Sequence, residues 1–284
     1  MSCLYVVATP IGCLADLSPR ARSVLAEVSL VAAEDTRVAR SLYRSLGLTP
    51  PELWSCHDHN EAARAGRVVE RIGRGEPVAL VSDAGTPLVS DPGYRVVRAV
   101  IDAGLPVVPV PGPSAPLAAL VASGLPTDRF LFAGFPPSKP SRRRTWLEGL
   151  ARHTATLVLF ESPKRILQSL EACQQVLGDR PCCLAISLTK EWERFHRGTL
   201  SEVRERLVAE PDEVIGEMCL CLAGAEDAGG EVDERWWTVI DGLAAAGVSP
   251  SVIRNAVAGP LGLKARDVYQ RALGAAEPND SGEG

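Results

Sequence analysis

Val78-Ala79-Leu80-Val81-Ser82-Asp83-Ala84-Gly85-Thr86-Pro87-Leu88-Val89-Ser90-Asp91-Pro92-Gly93 is the stretch on which the reading of this 284-residue chain turns. The apolar run from Pro77 to Val81 predicts a buried parallel strand, and a helical pattern follows from Tyr94 to Ala103. Small residues between them let a ligand approach the backbone, while Asp83, Thr86 and Asp91 offer polar contacts. In open α/β sheets, ligands bind at the carboxyl ends of strands. A plain strand-to-helix turn also uses Gly and Pro, so the loop by itself leaves both readings open.

The same alternation extends in both directions. Strands are predicted at Leu4–Ala8, Leu30–Ala33, Leu53–Ser55, Val78–Ser82 and Val107–Pro109. Helices are predicted at Pro19–Glu27, Arg37–Leu46, Glu61–Arg74 and Tyr94–Ala103. Ser18-Pro19 reads as an N-cap followed by Pro at the first helical position, and Gly47 and Gly104 sit where helices should stop. This order predicts an α/β domain over residues 1–112, a parallel sheet with helices on both faces. The rigid Pro109–Ser114 segment reads as a crossover into a second α/β domain, 113–225. Its strands fall near Phe130–Phe135, Thr156–Phe160, Cys182–Leu188 and Met218–Ala223, and its helices at Ala115–Ala122, Arg142–Leu150, Ile166–Leu177 and Leu200–Ala209. Residues 226–234 hold five acids and no base and read as a linker. A small helical module, 235–274, follows (Arg235–Ala246, Pro250–Ala258, Lys264–Leu273), read as a packing module rather than a helix-turn-helix. Residues 275–284 read as a disordered tail.

Composition narrows the class. Hydrophobic residues make up 46% of the chain and mean hydropathy is +0.05. No apolar run approaches the ~20 residues of a membrane span, and the N-terminus lacks the basic start of a signal peptide. The eight cysteines form no Cys-x-x-Cys pair, so buried, reduced thiols in a cytoplasmic protein are expected rather than zinc ligands. Net charge is −5, all of it carried by residues 225–284, with ten acids against five bases. Residues 136–165 hold seven bases and two acids, a local +5 that fits a polyanion on one face. A solvated helix start is the plain alternative.

Four further segments follow predicted strands: Ala8-Thr9-Pro10-Ile11-Gly12, Ala32-Ala33-Glu34-Asp35-Thr36-Arg37, His57-Asp58-His59-Asn60-Glu61 and Pro111-Gly112-Pro113-Ser114. Ser123-Gly124-Leu125-Pro126, Phe160-Glu161-Ser162-Pro163 and Leu188-Thr189-Lys190-Glu191 come next in order. With the opening loop, this ordered set closely resembles the bacterial 16S ribosomal RNA 2′-O-ribose methyltransferase family, which has the tetrapyrrole-methylase fold. The resemblance implies an S-adenosylmethionine-dependent enzyme, with the cofactor bent into the cleft between the two α/β domains. It implies a cytidine of the ribosomal decoding region (the P-site) as acceptor, the small ribosomal subunit as partner and a cytoplasmic homodimer. No DNA or membrane role is expected. The Gly-x-Gly-x-Gly signature of the commoner methyltransferase fold is absent.

By resemblance, cofactor contact falls on Pro10, Asp83, Gly85, Thr86, Pro87, Val89, Ser114, Ala115, Phe160, Leu188, Leu222 and Ala223. This chain departs from the family pattern at three places. Cys13 stands where the family has Asn, Lys164 where it has His or Arg, and Ile186-Ser187 where it has Arg-Glu.

Methyl transfer to a ribose hydroxyl gains most from positioning and exclusion of water, with a base as help. Lys190 and Glu191 are the first candidates beside the acceptor, then Asp58 and His59. Glu34 and Asp35 also read as the acidic start of a helix, with Arg37 pairing locally. His57 and His59 alternate on one side of an extended segment, but no second ligand cluster accompanies them, so no metal is expected. Lys139, Arg142, Arg143, Arg144, Lys164 and Arg165 are the candidate RNA phosphate contacts. With five Trp and five Phe, extensive base stacking is not indicated. A tetrapyrrole C-methyltransferase and a non-catalytic RNA-binding assembly factor are the alternatives.

Overall fold

The apolar runs of the first 110 residues assemble into one parallel sheet. A computed structural model describes residues 2–226, 234–261 and 263–276. The chain divides into two compact units, the first reaching Gly224 and the second beginning at Ala225. In the first sheet β1 (Leu4–Val7), β2 (Leu30–Ala33), β3 (Glu52–Ser55), β4 (Val78–Val81) and β5 (Val107–Val110) lie in the order β3-β2-β4-β1-β5. Every neighbouring pair is parallel.

Side-chain alternation explains the layering. Leu30, Ala32, Val78 and Leu80 face α3 (Glu61–Gly73) and α4 (Tyr94–Asp102), against Ala65, Val68, Ile72, Val96 and Val100. Val31, Ala33, Ala79 and Val81 face the other way, against Ala21, Leu25, Ala39 and Tyr43 of α1 (Pro19–Glu27) and α2 (Thr36–Ser45). A strand buried on both faces has to be apolar throughout, as β2 and β4 are. The chain leaves β4 toward the α3/α4 face, whereas it leaves β1 and β2 toward the α1/α2 face. The loop after β4 therefore parts from both neighbouring loops, which is the switch-point geometry that opens a crevice.

The second sheet is mixed. β6 (Phe130–Gly134), β7 (Thr156–Glu161), β8 (Pro181–Ile186), β9 (Arg194–Thr199) and β10 (Met218–Leu222) take the order β6-β7-β10-β8-β9. Only β6 and β7 pair in parallel; β10 is antiparallel to β7 and β8, and β8 to β9. Strand β9 was not anticipated from sequence. Arg-Phe-His-Arg-Gly-Thr is too polar to read as a strand, and its charges suit the sheet edge it occupies. One face packs on α6 (Pro140–Leu150), α7 (Ile166–Leu177) and α8 (Leu200–Ala209) through Leu147, Leu170, Leu207, Leu159, Leu184 and Leu220. The opposite face has a single helix, α5 (Ala115–Ser123), on Val158, Cys183, Ala185 and Cys221.

The second unit is a three-helix cluster: α9 (Glu234–Ala245), α10 (Pro250–Val257) and α11 (Ala265–Ala276) around Ile240, Ile253 and Val268. Helix α11 runs two residues into the segment read as tail, because Val268 and Ala272 anchor its stripe. Most of the expected linker (227–233) and the rest of the tail (277–284) lie outside the described residues. No described helix is long and apolar enough to cross a membrane.

Candidate active site

The parallel sheet brings every strand-to-helix loop to one rim, and two of those loops meet the second sheet. Thr9 and Gly85 exchange backbone hydrogen bonds of 2.8 and 3.1 Å, tying the loop after β1 to the loop after β4. Gly85 has φ +85°, and a Cβ there would lie 3.1 Å from Ile11 Cγ2. Cys13 N–H donates to Thr189 Oγ1 at 3.0 Å. A Cβ on Gly12 would fall 2.6 Å from Lys190 Cγ and 2.7 Å from Thr189 Oγ1. The loops after β1 and β8 are therefore pressed together backbone to side chain. The contact at residue 13 uses its amide, which any non-proline residue there supplies.

Beside this seam lies a cavity of about 320 Å³. Ile11 and Ala84 line it from the first sheet; Ala115, Phe160, Leu188 and Cys219 line it from the second. It occupies the part of the second sheet that α5 leaves uncovered. Phe160 is braced by Phe132 and Phe135, with ring centroids 5.0 and 5.3 Å away. Beneath it, Glu161 is buried and fully engaged, accepting from Ser162 N–H (2.8 Å), Arg165 Nη2 (2.7 Å) and Ser169 Oγ.

Backbone strain marks the same place. Among the described residues, four non-glycine residues have positive φ: Leu88 (72°), Ser90 (67°), Ser187 (53°) and Thr189 (61°). All four sit in the loops after β4 and β8. Such conformations cost about 1–3 kcal/mol each and persist where the surroundings over-determine them, characteristically at functional sites.

The sequence-derived cofactor set divides in four. Ala115, Phe160 and Leu188 line the cavity. Pro10, Gly85, Thr86, Pro87, Val89 and Ser114 stand in the loops around it, with Thr86 Oγ1 donating to Pro113 O at 2.9 Å. Asp83 adjoins Ala84, but its carboxylate accepts from the Asp35 amide at 3.0 Å and so turns toward the β2 loop. Leu222 and Ala223 do not line the cavity. Strand β10 runs antiparallel to its neighbours, so Met218, not Leu222, lies beside Glu161 and Ile186. Three residues of strand separate Leu222 from Cys219, roughly 10 Å, and the Leu222 side chain belongs to the helix-covered core. Gly216, Glu217 and Cys219 line the cavity instead. Only strand direction could have revealed them, and an isolated apolar run carries no direction.

Among the catalytic candidates, Lys190 is paired with Glu217 at the cavity edge. Desolvation pushes the Glu217 carboxyl up, but the Lys190 hydrogen bond, a backbone hydrogen bond and the Lys190 charge together bring it below the ordinary glutamate value. Glu191 is exposed in the turn beyond and does not line the cavity. Asp58 and His59 are exposed after β3, the sheet edge, with β2 and β4 between them and β1. They are not brought to Lys190. Asp35 is the N-cap of α2, accepting from Arg37 N–H (2.8 Å) and pairing with its guanidinium (2.6 Å), as the helix-start reading has it. Glu34, Asp83 and Asp91 form an acidic group on the rim, all three pushed above their ordinary values mainly by burial; the charges of Asp91, Asp83 and Asp58 add to this at Glu34, that of Asp35 at Asp83, and those of Asp83 and Asp58 at Asp91. No group of potential ligands that could hold a metal occurs among the described residues.

The basic patch is also revised. Lys139, Arg142, Arg144 and Lys164 are exposed. Arg143 is buried, because it shares the inner stripe of α6 with Leu147 and Leu150. Arg165 is committed to Glu161 and to Pro136 O (3.3 Å). Ile186 faces the helix-covered core, so the place where the family has Arg is here filled by an apolar side chain away from the cavity.

A family model described as Tetrapyrrole (Corrin/Porphyrin) Methylases matches residues 3–204. The chain is 43% identical over 285 residues to "Ribosomal RNA small subunit methyltransferase I" of Mesorhizobium japonicum, covering 99% of this chain and 95% of that one. The relative of the same name in Synechocystis sp. is 41% identical, covering 96% and 98%. Among solved structures, the methyltransferase CobJ superposes with TM-score 0.59 at 20% identity, covering 79% of this chain and 95% of that one. A uroporphyrin-III C-methyltransferase of Thermus thermophilus complexed with S-adenosylhomocysteine gives 0.51 at 25%, covering 78% and 97%. The chain thus belongs to the tetrapyrrole methylase family of methyltransferases and, within it, to the ribosomal RNA small subunit methyltransferase I members.

Proposed function

We propose that this chain transfers a methyl group from S-adenosylmethionine to the ribose 2′-hydroxyl of a decoding-region (P-site) cytidine in 16S ribosomal RNA of the small subunit. The carrying observation is the apolar cavity where the rim of the parallel sheet meets the bare face of the second sheet, with the Lys190–Glu217 pair at its edge. Its volume lies in the range of small-molecule sites. The residues fit the cofactor: Ile11, Phe160 and Leu188 offer an apolar slot for an adenine, and Ala84, Ala115 and Gly216 let the backbone come close. When bound, S-adenosylmethionine supplies an electrophilic methyl on a sulfonium.

The chain's own residues supply position and exclusion of water. Cys13, Thr189 and Gly12 hold the two loops together, which keeps Lys190 against the cavity edge. The Glu217 carboxylate, held ionised by Lys190, accepts the hydrogen bond of an incoming hydroxyl and orients its lone pair. Exposed Lys139, Arg142, Arg144 and Lys164 meet RNA phosphates. Exposed Leu117 and Val121 on α5 support a homodimer contact, and a cytoplasmic site of action follows from the substrate.

The test is incubation with methyl-labelled S-adenosylmethionine and small subunits from a strain lacking the modification, followed by mapping of the label. One ribose-methylated decoding-region cytidine is expected. Label on a tetrapyrrole and none on RNA overturns the reading.

A further inference from the structure

The three consecutive arginines of α6 do three different things. Arg142 is exposed, Arg144 pairs along the helix with Glu148 at 3.1 Å, and Arg143 is only 4% exposed. Arg143 Nε and Nη1 are both buried and without a hydrogen-bond partner. A guanidinium is always protonated and carries five donors. Leaving buried, charged donors without acceptors is costly.

The same side chain also borders an open groove. A groove of about 610 Å³ opens between α6 and α7, lined by Ser141, Arg143, Arg144, Gln168, Glu171 and Gln175. The groove includes the N-terminal turn of α6, where Lys139 provides no side-chain cap and Pro140 has no N–H. The first amides of a helix have no intrahelical acceptors, and the helix dipole there favours an anion. Glu171 is the one carboxylate of the lining, and it lies 3.9 Å from Arg204 of α8.

We propose that this groove is a phosphate-binding pocket: Arg143 forms its floor, Arg144 and the start of α6 its positive wall, and Ser141, Gln168 and Gln175 its neutral donors. The ligand chemistry is a tetrahedral oxyanion, whose oxygens accept from several directions at once. In the protein's work the phosphate is one backbone phosphate of the RNA substrate, an assignment that rests on the ribosomal RNA reading. The site lies on the helix-covered face of the second sheet, so it acts as an anchor remote from the methyl-transfer cavity.

The full chain is titrated with inorganic phosphate by calorimetry and by thermal melting, against acetate and chloride at equal ionic strength. Saturable binding specific to phosphate is expected, and Arg143→Met abolishes it. Should Arg143→Met fail to fold, Gln175→Glu, an exposed change that sets a carboxylate in the groove, weakens phosphate about tenfold. No saturable response in the natural chain, or an equal response to acetate, overturns the pocket. For the RNA assignment, Gln175→Glu raises KM for small subunits about tenfold at constant kcat. Loss of phosphate binding with an unchanged KM overturns that assignment and makes free phosphate the ligand. If the natural chain methylates no RNA, the functional reading fails, while the phosphate titration still decides the pocket.

Discussion

At the residue scale, the proposed site depends on a missing side chain. Gly12 is pressed against Lys190 and Thr189 so closely that a methyl group has no room. Gly12→Ala therefore pushes the loops after β1 and β8 apart, and a shift of about 1 Å at a positioned group costs roughly 100-fold in rate. The expected result is a fall in kcat with little change in melting temperature. Lys190→Met removes the hydrogen bond and the charge that help hold Glu217 low, so its carboxyl moves up. The acid limb of the pH–rate profile moves to higher pH, and an unmoved limb would refute the pairing. Glu34 works in the opposite sense. Its folded carboxyl is raised above the unfolded value by burial and by neighbouring Asp91 and Asp83. The protonated form is thus favoured in the fold, and a cost grows as pH rises through the unfolded value toward the folded one. Glu34→Gln raises the melting temperature at pH 7–8, and the gain vanishes below about pH 4.

At the element scale, the buried Glu161 at the end of β7 is held by Arg165 just before α7. Arg165→Met leaves that carboxylate uncompensated and destabilises the fold by about 3–5 kcal/mol, measured by denaturant melts. The double change Glu161→Gln with Arg165→Met recovers most of the loss. Elements of this kind were largely legible in the sequence. Pro19–Glu27, Ile166–Leu177 and Leu200–Ala209 coincide with α1, α7 and α8, because Ser18-Pro19, Gly178 and the Thr199–Glu202 capping box punctuate them locally. Strand β9 was illegible, since an edge strand of charged residues lacks the apolar signal that periodicity reads. The burial of Arg143 was illegible for a related reason: composition counts charges, whereas the inner stripe of α6 decides which of them is buried.

At the scale of the molecule, both sheets and the whole cavity lie within the first compact unit. A chain ending at Gly224 is expected to fold and to bind S-adenosylmethionine with unchanged affinity by calorimetry. A large loss of affinity would mean that the helical unit completes the site. The cavity's first wall was visible in the sequence as glycine- and proline-rich loops after successive apolar runs, because a parallel sheet sends all such loops to one rim. Its second wall was only half visible. Ala115, Phe160 and Leu188 were named from their motifs and line it, whereas Leu222 and Ala223 lie at the other end of β10 and Glu217 was not named.

Thus the sequence by itself determined the alternation of strands and helices, the parallel first sheet, the loops that border the cavity and the family to which the chain belongs. These are written in local periodicity, in Gly and Pro at turns, and in the order of motifs along the chain. The tertiary structure alone decided the direction of β10, the edge position of β9, the burial of Arg143 and the pairing of Lys190 with Glu217. Each of those depends on which segments become neighbours across long stretches of chain, and local residue patterns carry no information about strand direction or about the far partner of a charge.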